Sequence, residues 1–194
     1  MPNWCANTLQ ITGSRADIKR FRLKAKGHIQ NYNEFSGPEN GKWPIHDDIR
    51  LESLVTTPPE PGDIVELSFH ALVPVPDDFR CFPYDDTRAR ELGELVGIPR
   101  PYGGYNWESL NWGVKWGACD TVLVNEEELY LEYEFNTPWG PPEIFMEKIA
   151  EDWPNLHFDL CYAEPGMGFK GQMVFEEGSL VYEVCNEYYE EEEE

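Results

Sequence analysis

The sequence predicts an α+β sandwich in which a mainly antiparallel sheet carries helices on one face. Several short segments alternate apolar with polar residues, which is typical of half-buried strands. Two segments with helical spacing lie between them and can connect strands across the sheet. With 41% hydrophobic and 14% aromatic residues, the 194-residue chain is long enough to bury a substantial core.

The chain opens with a strand and a helix. Residues 5–12 alternate in polarity and are followed by Gly13, which ends the predicted strand. Ser14 and Asp17 then have the spacing of a capping box, so a helix is expected to begin beside Ser14 and to end near Gly27.

The middle of the chain is less regular. Residues 28–62 are rich in asparagine, glycine and proline and predict a loop-rich insertion. Alternation over residues 64–73 predicts a second strand, which Pro74 ends. Residues 85–96 predict a helix with an acidic first turn and Gly97 as its C-terminal cap.

The last third predicts most of the sheet. Residues 129–135 alternate most clearly, and the prolines at 141 and 142 suit the start of a helix that ends at Pro154. A strand over 157–163 leads into the glycine-rich bend 164–171, and residues 172–185 predict a final hairpin.

We therefore expect one domain over residues 1–186, with an insertion at 28–62, and an acidic disordered tail over 187–194. No run of 18 apolar residues and no signal-peptide pattern occurs, so a cytoplasmic protein is expected. The five cysteines are far apart and form no C-x-x-C pair, which disfavours disulfides, zinc ribbons and iron–sulfur clusters. We expect no metal and no cofactor.

The charge is strongly uneven along the chain. The formal net charge is −22, yet residues 1–50 hold eight basic and five acidic residues, and the remainder holds seven basic and 32 acidic ones. Such an acidic remainder repels nucleic acids and anionic membranes and attracts basic surfaces. The alternative is that the charge serves only solubility.

The bend at 164–171 contains the spacing G-x-G-x-x-G of a dinucleotide-binding turn. That motif binds phosphate only when a helix N-terminus follows it, and here a strand is expected to follow. The bend is therefore predicted to be structural. No nucleophile-elbow, zinc-protease or P-loop motif is present.

A candidate cleft involves two loops. Lys115 stands between two tryptophans in a glycine-punctuated loop, and Glu164 lies where a strand meets the bend. If the loops meet, Lys115 and Glu164 would be the polar groups of a site walled by aromatic rings. The alternative for Glu164 is that it accepts hydrogen bonds from the amides of its own bend. The candidate residues are Asn111, Trp112, Lys115, Trp116, Trp139, Glu164 and Met167.

Five blocks occur in the order found in the YubB ferredoxin-like family, also called Api92-like proteins, which the chain resembles over about residues 1–180. The resemblance implies a ferredoxin-like βαββαβ core and a gene of the kind carried by bacterial plasmids and phages. It carries over no activity, and the chain departs from it at 28–62 and in the tail. The blocks are Met1-Pro2-Asn3-Trp4-Cys5 with Asn7, Leu9, Ile11 and Gly13; Leu72 to Pro76; Asn111-Trp112-Gly113 with Lys115-Trp116; Phe135 with Thr137, Trp139 and Pro141-Pro142; and Glu164 to Gly168 with Phe169 and Gly171.

Three functions compete. The first is a non-enzymatic interaction protein of a mobile element, whose acidic surface binds a basic protein, such as a nucleic-acid-binding protein of the host, by imitating phosphates. The second is an enzyme or small-ligand binder that uses the cleft. The third, direct nucleic-acid binding by the basic helix at Arg15 to Lys26, conflicts with the overall charge. The acidic surface would comprise Glu126, Glu127, Glu128, Glu132, Glu134, Glu190 and Glu191.

Overall fold

The structure is a computed structural model, and it describes residues 2–33, 57–85, 90, 94, 97 and 103–188. The described strands are β1 (Trp4–Thr12), β2 (Gly27–His28), β3 (Ile64–Val65), β4 (Cys119–Glu127), β5 (Tyr130–Pro138), β6 (His157–Glu164), β7 (Phe169–Glu176) and β8 (Ser179–Glu187). The helices are α1 (Arg15–Ala25), α2 (Phe69–Leu72), α3 (Asp77–Arg80), α4 (Gly104–Asn111) and α5 (Glu143–Asp152). None of the helices in these ranges is both long and apolar enough to cross a membrane.

The main sheet has the order β4-β5-β1-β6-β7-β8, and each neighbouring pair is antiparallel. The elements β1, α1, β4, β5, α5 and β6 form a βαββαβ core, with β1 in the middle and β4 at one edge. The hairpin of β7 and β8 extends this core beyond β6. The predicted α+β class is confirmed, and the core has the ferredoxin-like plan.

The first two elements follow the predicted pattern. Alternate residues of β1 are buried, and the Ser14 hydroxyl accepts a hydrogen bond of 3.2 Å from the Asp17 amide at the start of α1. The helix then buries Ile18 and Phe21 against the sheet, where the Phe21 ring contacts Phe158 edge-on. We call this helix-covered side of the sheet the inner face and the opposite side the outer face.

The predicted strand over residues 64–73 is wrong beyond its first two residues. The strand β3 ends at Val65, and helix α2 follows from Phe69. Ser68 starts this helix by accepting a hydrogen bond of 3.0 Å from the Ala71 amide, and Pro74 prevents its continuation. The apolar residues of this segment are buried by a helical turn rather than by a strand.

The second core strand is β4, which the sequence analysis did not predict. Its register against β5 is interrupted twice, between Cys119 and Val122 and between Leu123 and Asn125. Its half-buried and exposed residues alternate as far as Glu126, but Val122 and Val124 are at exposed positions, so polarity does not alternate in the sequence.

Parts of three other predictions lie outside the described residues. Of the predicted 85–96 helix, three residues are described. Arg90 and Glu94 are helical, whereas Asp85 is not. Residues 34–56 of the predicted insertion and residues 189–194 of the predicted tail, which include Glu190 and Glu191, are not described.

The segment between β3 and β4 contributes directly to the core. The ring of Phe69 in α2 stacks on Phe145 of α5 at a centroid distance of 3.6 Å. It also meets Phe135 of β5 and Trp112 edge-on, at 5.8 Å and 5.7 Å. One aromatic cluster therefore joins the βαββαβ core to residues outside it.

The bend 164–171 ends inside β7, and Gly171 is where the hairpin packs most closely. A Cβ atom at this position would lie 2.2 Å from the Val184 carbonyl oxygen and 2.4 Å from the Tyr162 hydroxyl oxygen. Because one of these atoms belongs to the backbone of β8, a side chain cannot be fitted without moving the strand.

We expect Gly171→Ala to lower the free energy of unfolding by about 1–3 kcal/mol, the usual cost of overpacking. Urea denaturation would measure this change. Gly140→Ala is the matched control, because a Cβ atom at Gly140 meets nothing within 4 Å. Equal stability of the two variants would contradict the role assigned to Gly171.

Candidate functional site

A cavity of about 590 Å³ lies between two loops and the inner side of the C-terminal hairpin. Lys115 lines it from the loop between α4 and β4, and Trp139 lines it from the loop between β5 and α5. Phe169 and Glu183 line it from β7 and β8. A cavity therefore does lie between the 111–117 loop and the end of the 164–171 bend.

The remaining predicted cleft residues are placed differently. Trp112 is fully buried, and its indole nitrogen donates a hydrogen bond of 3.1 Å to the Val73 carbonyl, so it belongs to the core. The amide oxygen of Asn111 accepts a hydrogen bond of 2.5 Å from the Lys148 ammonium. Met167 is 63% exposed on the bend. These three residues do not line the cavity.

Trp116 and Trp139 form an aromatic cluster beside the cavity. Their ring centroids are 5.6 Å apart, and Trp116 also packs against Trp4 at 6.4 Å. Both residues have left-handed backbones, with φ of 67° at Trp116 and 66° at Trp139. Bulky residues adopt this conformation only where surrounding contacts hold them.

Glu164 does not form the predicted pair with Lys115. Its carboxylate is 1% exposed and accepts hydrogen bonds from the amides of Gly166, at 3.1 Å, and of Met167. Within the described ranges, no ion pair joins it to Lys115. The alternative interpretation of Glu164, a carboxylate that binds the amides of its own bend, is the one that the structure shows.

Near Glu164, buried polar groups join β1 to β5. The Asn7 amide donates hydrogen bonds to the Thr137 hydroxyl at 2.8 Å and to the Cys5 carbonyl at 2.9 Å. Thr137 in turn donates to the Gly140 carbonyl at 2.7 Å. Burial, together with the charge of Glu164, raises the pKa of the Cys5 thiol to about 12. Cys5 is therefore an inert core thiol rather than a nucleophile.

Glu108 is a buried carboxyl group that the sequence analysis missed. It is fully buried, and it accepts hydrogen bonds from Gln30 at 2.8 Å, from the Tyr32 hydroxyl at 2.5 Å and from the Trp116 amide at 2.7 Å. Burial raises its pKa to about 7 although these donors and Lys115 act to lower it. This carboxylate fixes the left-handed backbone of Trp116 and ties it to residues 30–32.

On the outer face of the sheet, four carboxylates lie together. Glu132 of β5 lies opposite Gln10 of β1, and Gln10 lies opposite Asp159 of β6. Glu134 follows two residues after Glu132, roughly 7 Å along the strand, and Glu127 completes the group on β4. We call Glu127, Glu132, Glu134 and Asp159 the outer acidic group.

The hydrogen bonds of the outer acidic group come from neutral donors. Tyr130 donates to Glu132 at 2.6 Å, Asn125 donates to Glu127 at 3.2 Å, and Gln172 donates to Asp159 at 2.8 and 2.9 Å. No lysine or arginine of the described ranges forms an ion pair with any of the four. Their charges therefore stay uncompensated at the surface.

Beside α1, on the inner side of the sheet, three glutamates are paired with cations of that helix. Arg15 pairs with Glu128 at 2.6 Å, and Arg22 pairs with Glu126 at 3.2 Å and with Glu66. The predicted acidic surface is thus divided. Glu127, Glu132 and Glu134 are uncompensated, whereas Glu126 and Glu128 are paired with the basic helix.

The raised pKa of Glu108 predicts a pH-dependent contribution to stability. Between pH 4.5, the ordinary pKa of the group, and about 7, the unfolded chain loses this proton while the folded chain retains it. The folded state then binds more protons, so stability falls as pH rises through this window and this contribution is constant above it. The fall is about 3 kcal/mol.

Glu108→Gln removes this titration, so its free energy of unfolding should rise relative to wild type by that amount between pH 4.5 and 7. Urea unfolding at a series of pH values measures the difference. Glu147→Gln, at an exposed position of α5, is the control and should track wild type at every pH. A pH-independent difference for Glu108→Gln would refute the assignment.

The chain is similar in sequence and in fold to known proteins. Residues 112–194 match a family model described as the ferredoxin-like domain in Api92-like protein. The chain is 30% identical over 91 residues to the uncharacterized protein YubB of Escherichia coli (strain K12), a match that covers 46% of this chain and 60% of YubB.

The fold is also similar to the crystal structure of a protein api92 from Yersinia pseudotuberculosis. The TM-score is 0.54 at 12% identity, and the match covers 99% of this chain and 100% of that chain. At this identity the likeness concerns the fold alone. Residues 112–194 are therefore similar in sequence to the ferredoxin-like domain of Api92-like proteins, and the fold of the chain is similar to that of the api92 structure.

Proposed function

We propose that this protein is a non-enzymatic interaction protein of a mobile element, a phage or plasmid, and that it binds a basic protein partner through the outer acidic group. The observation that carries the proposal is the unequal compensation of two groups of carboxylates. Glu66, Glu126 and Glu128 have arginine or lysine partners beside α1, whereas the outer acidic group has neutral donors.

The outer face offers such a partner a fixed spacing of charges. Among the outer positions of β1, β4, β5, β6, β7 and β8, Lys170 is the one lysine, and there is no arginine. Side chains on a sheet recur at roughly 7 Å along a strand, a distance comparable to that between neighbouring phosphates. A protein that binds nucleic acid is therefore the partner class that we propose.

Direct binding of nucleic acid is not supported. The basic stripe of α1 comprises Arg15, Lys19, Arg22 and Lys26. All but Lys19 form an ion pair with a carboxylate, Lys26 with Glu66 at 2.7 Å. Cations used in this way are not available to neutralise phosphates.

The enzyme alternative rested on Lys115 and Glu164. The Glu164 carboxylate is turned toward the amides of its own bend, and Lys115 acts electrostatically on the buried Glu108. The acid and base that this alternative needs are therefore not brought together within the described ranges, and binding is the function we propose.

The test neutralises the outer acidic group with Glu127→Gln, Glu132→Gln, Glu134→Gln and Asp159→Asn together. Each exposed charge contributes about 0.5 kcal/mol to binding. The four substitutions together should therefore lower the affinity for poly-L-lysine about thirtyfold at low salt. Fluorescence anisotropy of labelled poly-L-lysine at several salt concentrations measures it.

The control must carry the same net charge. Glu147, Glu151, Asp152 and Glu177 are exposed and lie outside the outer acidic group, and their four amide substitutions form the matched variant. The control should retain most of the wild-type affinity. Equal losses in both variants would mean that only total charge matters, and the proposed surface would then be rejected.

A further inference from the structure

The last strand of the sheet, β8, has an open edge in the described part of the structure. From Tyr182 to Glu187 it pairs with β7 in an unbroken register. Leu180, Val181 and Tyr182 are 41%, 55% and 50% exposed. Edge strands of this length are usually protected by a bulge, a proline or a lysine. The register shift of β8 lies at Val181, and residues 182–187 have none of these.

The direction of the backbone groups follows from the end of the hairpin. The Tyr188 amide donates to the Gly168 carbonyl at 2.7 Å, so Tyr188 bonds toward β7. Since bonding alternates along an antiparallel strand, Val184 also bonds toward β7, and the N–H and C=O groups of Glu183 and Cys185 point to the open edge.

The side chains of these two residues face the cavity. Both Glu183 and Cys185 line it, and Glu143 lies across it at the start of α5. Glu183 and Glu143 are close enough that the charge of Glu183, after burial, raises the pKa of Glu143. Neither carboxylate forms an ion pair with a lysine or arginine in the described residues. Trp139 and Phe169 supply aromatic walls.

We propose that an extended segment of the basic partner adds a strand to β8 and places one lysine or arginine side chain in this cavity, between Glu143 and Glu183. In a paired strand, the residue opposite Glu183 has its side chain on the same face of the sheet, and therefore points toward the cavity. Backbone pairing supplies affinity. The two carboxylates outnumber Lys115, the cation that also lines the cavity, and with the aromatic walls they select the incoming cation. The basic character of the partner rests on the proposed function.

A second copy of this chain fits the edge poorly. Pairing two β8 strands would bring their glutamates, Glu183 and Glu187, onto the same short interface, where like charges oppose association. Charge complementarity therefore favours a basic segment as the occupant of this edge.

The probe is the heptapeptide Thr-Val-Thr-Lys-Thr-Val-Thr, acetylated at its N-terminus and amidated at its C-terminus. The control peptide has glutamine in place of the lysine. Tryptophan fluorescence follows binding to the full chain. We expect the lysine peptide to bind more tightly than the glutamine peptide, and Glu183→Gln to reduce that preference about fivefold. Equal binding of both peptides would overturn the cation site.

Cys185→Pro tests the strand pairing. It removes an N–H that faces the open edge and leaves the bonds to β7, a change that edge strands tolerate. Cys185→Ala keeps that N–H and is the control, and circular dichroism verifies the fold of both. We expect Cys185→Pro to lose binding of the lysine peptide and Cys185→Ala to retain it. If Cys185→Pro instead converts a dimer to a monomer in gel filtration, the occupant is a second copy and the proposal is wrong.

The outer-face variant separates this inference from the proposed function. It should lose poly-L-lysine binding and still bind the heptapeptide. If the wild-type protein binds poly-L-lysine through the outer acidic group but does not bind the heptapeptide, the strand-addition inference fails and the proposed function stands. If the heptapeptide binds as expected and neutralising the outer acidic group leaves poly-L-lysine binding unchanged, the proposed function of that group fails and the strand-addition inference stands.

Discussion

The pairing of β1 with two later strands is the constraint on which the rest of the structure depends. The strand matches β5 at nine positions and β6 at seven, all of them more than 100 residues away along the chain. Asn7 reinforces the first of these pairings from within, through its bond to Thr137. With β1 in place, the bend after β6 and the loop after β5 meet at one end of the sheet, and the cavity lies beside them.

The carboxylates beside α1 and those of the outer acidic group differ in whether they have cationic partners. Helix α1 brings the basic residues of the N-terminal part to the inner side, where they compensate glutamates of β4 and of the segment before α2. The outer face has no such helix in the described residues and keeps its carboxylates uncompensated. The helix therefore compensates the glutamates beside it, and the four carboxylates of the outer acidic group are left without a cationic partner in the described residues.

The elements with strong, local patterns were predictable from the sequence, and those fixed by distant contacts were not. The α1 helix carried its own cap at Ser14, and β5 alternated cleanly. Strand β4 was missed because Val122 and Val124 lie at exposed positions and break the polarity pattern. Residues 64–73 were misassigned because a short capped helix buries the apolar residues.

In the candidate site, too, local hydrogen bonds could be predicted from the sequence and contacts between distant residues could not. Glu164 could be assigned to its bend because its partners are two and three residues away, whereas Glu108 is held by Tyr32, 76 residues distant. Nothing in the local sequence of α4 marks Glu108 as buried, since one glutamate among the polar residues of a short helix is ordinarily exposed.

The placement of Phe69 bears on how this chain can change in evolution. Its ring fills the space between Phe135, Phe145 and Trp112, although α2 lies outside the βαββαβ plan. Deleting α2 would remove a buried ring that contacts three other aromatic residues of the core. A shorter relative would have to refill that volume from its own strands and helices, so the length of the segment that holds α2 and the side chains of the core must change together.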